Sequence, residues 1–134
     1  MPGSDRIVGR RDYGGVLIIR VTIGDRQAEL LVDTGCAVTA ITPRAAARLR
    51  LDPSSFTGRR SVFTAGGSTI VVPTGRVPAL WVGTAQLRDV EVALMELAPS
   101  VNLDGLLGVN ILDRFRTTLD FRHATLVLRP EPLR

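Results

Sequence analysis

The feature that most restricts the fold of this chain is a series of short apolar segments, each bounded by turn-forming residues. β-Branched residues are frequent in these segments, and thirteen glycines and eight prolines occur among the 134 residues. β-Branched residues favour strands, whereas glycine and proline favour turns. A chain of this length also suits one domain with one core. We therefore predict a single, mainly β domain.

Three pairs of apolar segments have the spacing of β-hairpins, in which a short turn joins two antiparallel strands. The turns are predicted at Gly24-Asp25, at Gly66-Gly67 and at Arg122-His123. Pro73 and Pro78 are expected to interrupt the chain before further strands. These strands are predicted at residues 80–82 and 90–97, with a turn at residues 83–85 between them.

One helix is clearly indicated where Thr42-Pro43 precedes a run of alanine and arginine. Thr42 suits the N-cap and Pro43 the first helical position. A turn followed by a second short helix is predicted at residues 105–112. The polar residues 1–12 are expected to form a loose N-terminal tail. The domain is assigned to residues 13–130, and residues 131–134 to a C-terminal tail.

The residues Leu30-Leu31-Val32 are followed directly by the carboxylate of Asp33. Burying an unpaired carboxylate is costly, so such a residue must be hydrogen-bonded, paired or functional. Thr34 supplies a hydroxyl next to it, and Gly35 allows a tight turn with accessible amide groups. This arrangement would hold a carboxylate in place while leaving one side open.

The triplet Asp33-Thr34-Gly35, with Thr39 and Ile41 after it, resembles the active-site loop of aspartic proteases. The short chain has only one such triplet, so it is similar to the single-lobed, retroviral-type members, the retropepsins, in a bacterial or cellular form. Three further features match that family. These are the hairpin at Gly66-Gly67 in the place of the flap, the second signature at residues 106–110 and the C-terminal hairpin.

The resemblance implies a closed β-barrel, the acid-protease half-fold, with one or two short helices and activity as a two-fold dimer. It implies an endopeptidase without a cofactor that cleaves extended peptides. The catalytic loop would be Asp33, Thr34 and Gly35, with Thr34 bonding between the two copies. The expected substrate-binding residues are Cys36, Ala37, Phe63, Ala65, Gly66 and Gly67. The second signature would be represented by Leu107, Gly108 and Asn110, packed behind the loop.

The dimer contacts are expected to differ from those of retroviral enzymes. Those enzymes carry acidic residues after the triplet and an arginine in the second signature, which form an ion-paired network. Here Ala37, Val38 and Val109 occupy these positions. We therefore predict that the two C-terminal hairpins form the interface.

Other functions are less consistent with the sequence. Cys36 is the only cysteine and His123 the only histidine, and they are far apart along the chain, so neither a Cys-His pair nor a metal site is expected. All seventeen basic residues are arginine and the net charge is +4, but the arginines are dispersed, which argues against nucleic-acid binding. A non-catalytic peptide-binding or dimerisation module on the same fold remains the alternative. Without an apolar leader or a membrane-spanning run, a cytoplasmic location is expected, unless the chain is part of a longer one.

Overall fold

The computed structural model describes residues 5–64 and 66–130. In this part of the chain β-strands predominate, with two short α-helices and one turn of 3-10 helix at Pro53–Ser55. The helices are α1 (Pro43–Arg48) and α2 (Val109–Leu112). The strands are β1 (Asp5–Val8), β2 (Arg10–Asp12), β3 (Val16–Ile23), β4 (Arg26–Val32), β5 (Thr39–Ile41), β6 (Gly58–Phe63), β7 (Thr69–Val82), β8 (Ala85–Leu94), β9 (Gly105–Leu107), β10 (Phe115–Asp120) and β11 (Thr125–Pro130).

Eight of these strands form one sheet in the order β2-β3-β4-β9-β5-β8-β7-β6. β3 also pairs with β7, where Thr22 and Ile23 lie opposite Trp81 and Leu80. This additional pairing folds the sheet back on itself as a barrel, which agrees with the predicted fold class. Apolar side chains fill the barrel, and those with less than 2% exposure include Leu17, Ile19, Ile23, Leu30, Ile41, Leu80 and Leu107.

The remaining strands form a three-stranded antiparallel sheet in the order β1-β11-β10. Residues 5–12 contribute β1 to this sheet and β2 to the barrel, so the loose tail predicted for 1–12 is wrong over these residues. The polar sequence of residues 5–12 did not indicate strands, because backbone pairing with β11 and β3 needs few apolar side chains. Only Ile7 is buried. The tail predicted at residues 131–134 lies outside the described residues.

The three predicted hairpins are confirmed, as is α1 with the Thr42 hydroxyl accepting a hydrogen bond from the Ala45 amide. The prediction that prolines interrupt the chain is wrong, because β7 continues from Thr69 to Val82. Pro73 lies opposite Arg59 within the pairing with β6. Pro78 lies between the paired residues Val77 and Ala79, where proline's missing amide hydrogen leaves a gap in the ladder. No described helix has the length and apolar character needed to cross a membrane.

The part of the barrel that positions the site is the strand trio β4-β9-β5. Residues 105–107, predicted as a turn, are strand β9, because they pair in parallel with β4 and antiparallel with β5. The connection from β4 to β5, residues 33–38, must therefore pass over the end of β9. This crossing places the loop that begins with Asp33 directly against Gly108 and the start of α2.

Candidate active site

Asp33 is positioned by backbone bonds at the end of β4. Its amide donates to the carbonyl oxygen of Leu107 at 3.0 Å, and its own carbonyl accepts from the amide of Cys36 at 3.2 Å. One carboxylate oxygen, Oδ1, accepts from the amide of Gly35 at 2.9 Å. Asp33 is partly exposed, and Thr34 and Gly35 are exposed. The fold thus fixes the carboxylate while keeping it accessible.

The loop after Asp33 is held against the start of α2. The amides of Val109 and Asn110 donate to the carbonyl oxygens of Cys36 and Ala37, at 2.8 and 3.2 Å. Gly108 lies so close to the loop that a Cβ there would be 2.8 Å from the Cys36 oxygen, the Thr39 nitrogen and the Val38 carbonyl carbon. This close approach explains why glycine is required at position 108.

Beneath the loop, Thr39 and Asn110 form a buried hydrogen-bond network. Asn110 Oδ1 accepts from both the amide and the hydroxyl of Thr39, each at 2.8 Å. The Thr39 oxygen accepts from the amide of Gly108 at 3.0 Å, and Asn110 Nδ2 donates to the Glu91 carbonyl oxygen at 2.9 Å. Thr39 is fully buried. The network connects β5, α2 and β8, and so fixes the end of the loop at Thr39.

A groove of about 610 Å³ runs between the Asp33 loop and the hairpin formed by β6 and β7. Asp33, Gly35, Cys36, Ala37 and Phe63 all line it, so the structure brings these predicted residues together. The other lining residues are Ser61, Val62, Thr64, Ile70, Met95, Glu96, Leu97, Ala98 and Leu106.

Other predicted residues lie elsewhere. Gly66 and Gly67 lie at the turn of the hairpin and do not line the groove, and Ala65 lies outside the described residues. Leu107 is fully buried behind the loop. Of the groove residues, the wall at 95–98 was missed by sequence reasoning. The parallel pairing of β5 with β8 brings residues 95–98 to the site. The local sequence does not indicate that these two strands pair.

Cys36 lies in the groove but has no partner for nucleophilic chemistry. Its Sγ donates to the Val38 carbonyl oxygen at 2.9 Å. Burial, and then the nearby charge of Asp33, raise the pKa of this thiol above its usual value. His123 instead bonds to Asp120, with 2.9 Å between Nδ1 and Oδ2 in the β10–β11 turn. In the described part of the chain, the Cys36 thiol and the His123 ring thus bond to different groups.

Thr34 is exposed and directly follows Asp33 in the chain. Its hydroxyl makes no hydrogen bond to the residues that the structure describes. Within 5–64 and 66–130, no group of three or more histidine, cysteine, aspartate or glutamate side chains is arranged to hold a metal ion. What the site offers chemically is a carboxylate in an accessible, mainly apolar groove.

Comparisons with known proteins agree with this arrangement. The family model described as aspartyl protease matches residues 19–111, a range that includes Asp33, the hairpin and Asn110. No curated protein sequence matches significantly. A retropepsin-like aspartic protease from Rickettsia conorii has a similar structure, with a TM-score of 0.70, 21% identity, and coverage of 93% of this chain and 90% of that chain. The chain therefore belongs to the aspartyl protease family, and its fold is that of the retropepsin-like structure.

Proposed function

We propose that the protein is a homodimeric endopeptidase that hydrolyses peptide bonds in extended substrates, with Asp33 as its catalytic residue. The observation that carries this proposal is the Asp33 carboxylate at the edge of an apolar groove, where it accepts from the Gly35 amide while the Asp33 backbone amide donates to the Leu107 carbonyl oxygen. Such a groove suits an extended peptide, whose side chains can occupy it while its backbone lies along the loop.

The chemistry requires two carboxylates. One removes a proton from water as the oxygen attacks the peptide carbonyl carbon, and the other gives its proton to the carbonyl oxygen. The resulting diol then collapses, the carbon–nitrogen bond breaks, and the amine leaves with a proton. Two adjacent carboxylates share a single proton, as is general for aspartic proteases. The chain has one Asp-Thr-Gly triplet, so the second carboxylate would come from a second copy across a two-fold axis.

The surroundings of Asp33 are consistent with a second copy at this point. The Thr34 side chain is exposed, so its hydroxyl can bond to the loop of a second chain. The Gly35 amide is already bonded to Asp33. The Gly35 carbonyl oxygen is therefore the group that would accept a hydrogen bond from the substrate backbone.

The hairpin of β6 and β7 is proposed to close over the bound peptide. Phe63 lies on it with 88% of its surface exposed, although it lines the groove. An exposed phenylalanine beside a groove is typical of a surface that becomes covered on binding. Closure would exclude water from the reacting bond except for the attacking molecule.

The C-terminal hairpin is proposed as the main dimer contact. Among the described strands, β10 lies at the edge of the three-stranded sheet and pairs with β11 alone, and an edge strand can pair with a strand of another chain. The ion-pair network of retroviral enzymes has no counterpart, because Ala37, Val38 and Val109 stand in its place. A sheet that continues from one copy to the other would satisfy the open edge.

The test is cleavage of a mixed peptide library between pH 3 and 7 by the wild type and by Asp33→Asn, with sedimentation of both proteins. Asn has the shape of Asp, so the variant should fold and dimerise, which circular dichroism and sedimentation check. We expect cleavage by the wild type and none by the variant. Cleavage that persists in Asp33→Asn, or an active monomer, would refute the proposal. A folded wild type that cleaves nothing would favour a non-catalytic binding module.

A further inference from the structure

The groove contains a second carboxylate that bond hydrolysis does not use. Most of the described residues that line it are apolar, and Asp33 and Glu96 are the only charged ones among these. Asp33 is assigned to catalysis. Glu96 belongs to the part of the groove wall formed by residues 95–98, directly before Leu97 and Ala98, and it is exposed.

Glu96 differs from Glu29 and Glu91, the other glutamates in the described part of the chain, because it has no cationic partner there. Glu29 lies 3.3 Å from Arg10 and Glu91 lies 2.9 Å from Arg60. Within residues 5–64 and 66–130, by contrast, Glu96 forms neither an ion pair nor a side-chain hydrogen bond. The chain has seventeen arginines against thirteen acidic residues, so partners are abundant. Arg44 lines the adjoining cleft together with Glu96, yet no ion pair joins them.

The wall that carries Glu96 is fixed in place. The amide of Met95 donates to the Ile41 carbonyl oxygen at 3.0 Å. At its other end, the amide of Val101 donates to the Ala98 carbonyl oxygen at 2.9 Å. Glu96 is therefore held at the groove by a wall that is bonded to the barrel on one side and closed by a turn on the other.

A carboxylate at the border of an apolar groove suits one kind of side chain. Lysine and arginine have long apolar stems that can lie on the groove wall while the charged end stays near the carboxylate and water. We propose, on the basis of the protease function proposed above, that Glu96 makes the groove select peptides with lysine or arginine within a few residues of the cleaved bond. The substrate class is thus a basic peptide that also carries large apolar side chains.

The test is a peptide series in which lysine, norleucine or glutamate is moved through four positions on each side of the cleaved bond. The ratio of kcat/KM for lysine over norleucine is measured for the wild type, Glu96→Gln and Glu96→Arg. Because Glu96 is exposed, we expect a lysine preference of about two- to five-fold in the wild type. The preference should vanish in Glu96→Gln and turn toward glutamate in Glu96→Arg.

Asp25→Asn is the matched control, because it changes the net charge equally at a side chain that is 96% exposed in the β3–β4 turn. It should leave the lysine preference unchanged. If the lysine preference persists in Glu96→Gln, it arises from Asp33 and not from Glu96, and the inference is overturned. The inference is also overturned if the lysine preference falls equally in Asp25→Asn, because the preference then depends on the net charge of the protein and not on Glu96.

A binding measurement separates this inference from the proposed hydrolysis. Fluorescence anisotropy with Asp33→Asn, with and without Glu96→Gln, compares lysine and norleucine versions of one peptide at low and high salt. Tighter binding of the lysine peptide at low salt, lost in Glu96→Gln, supports the role of Glu96 even if the wild type cleaves nothing. Equal affinity for the two peptides, or no binding of either, overturns it.

Discussion

The loop at residues 33–38 and the β6–β7 hairpin lie on either side of the same groove but are held in different ways. The loop is bonded through Gly108, Asn110 and the buried Thr39. The hairpin tip is closed mainly by bonds between Thr64 and Ser68, and Phe63 beside it is exposed. The proposed catalytic carboxylate is thus held by the fold of one chain, whereas the phenyl group proposed to contact the substrate is exposed.

This difference has an energetic basis. A buried hydrogen bond whose partner is removed leaves a donor or acceptor unsatisfied, at a cost of about 1–3 kcal/mol. Exposed side chains away from such networks usually change stability by less than about 0.5 kcal/mol when substituted. Changes in the loop should therefore reduce stability and activity together. Changes in the hairpin should affect substrate binding alone.

The largest effect is expected from Gly108→Ala. The new Cβ would lie 2.8 Å from backbone atoms of the loop, which cannot move without displacing Asp33. We expect a loss of about 3 kcal/mol in the free energy of unfolding, at the upper end for overpacked sites, measured by urea denaturation. Gly66→Ala in the hairpin is the control, because the nearest atom to its Cβ is Thr64 Oγ1 at 3.9 Å. Equal free energies of unfolding for Gly108→Ala and Gly66→Ala would contradict the proposed difference between the loop and the hairpin.

A smaller loss is expected from Asn110→Ala. It leaves the Thr39 amide and the Glu91 carbonyl without their partner, at a cost of about 2 kcal/mol. Because Asn110 positions the loop and does not line the groove, kcat should fall while KM changes little. Asn102→Ala, at an exposed asparagine, should change neither quantity. An Asn110 variant that alters only KM would contradict a positioning role.

Phe63→Ala tests the hairpin side of the comparison. The exposed phenyl group contributes little to the folded chain, so the urea midpoint should shift only slightly. The loss of apolar contact with the peptide should raise KM about ten-fold, which corresponds to roughly 1.4 kcal/mol. Val71→Ala is the control, since Val71 is 65% exposed and lies outside the groove. A clear loss of stability in Phe63→Ala would show that the phenyl group packs against the folded chain, which would contradict the proposed difference between the loop and the hairpin.

The smallest effect concerns the thiol in the loop. Burial and the Asp33 charge raise the pKa of Cys36, so its reactive thiolate forms only at higher pH than in the unfolded chain. Alkylation by iodoacetamide at pH 8 should be slower in the folded protein than in urea, and should accelerate as the pH rises. Asp33→Asn removes one of the two causes and should moderately increase the folded-state rate. An unchanged rate in that variant would show that burial alone protects the thiol.

The sequence predicted the parts of the molecule that rest on local chemistry. Thr42 and Pro43 define the start of α1, and Gly24-Asp25 and Gly66-Gly67 define turns, because these residues act on their immediate neighbours. The loop at Asp33 was predicted differently, from the resemblance of its triplet to a known family. The strand at Asp5–Val8 could not be predicted, because it depends on pairing with residues more than a hundred positions away. Glu96 was missed as a groove residue because only the assembled barrel brings it to the groove.

The central claim is that one active site needs Asp33 from two copies of the chain. It is tested most directly by dissociating and remixing the wild type with an equal amount of Asp33→Asn, and then measuring cleavage per wild-type chain. Random pairing leaves about one quarter of the dimers with two wild-type chains, so activity should fall to about half that of the wild type alone. With a large excess of Asp33→Asn, the cleavage rate per wild-type chain should fall nearly to zero. Activity that stays proportional to the wild-type chains at every ratio would contradict the claim.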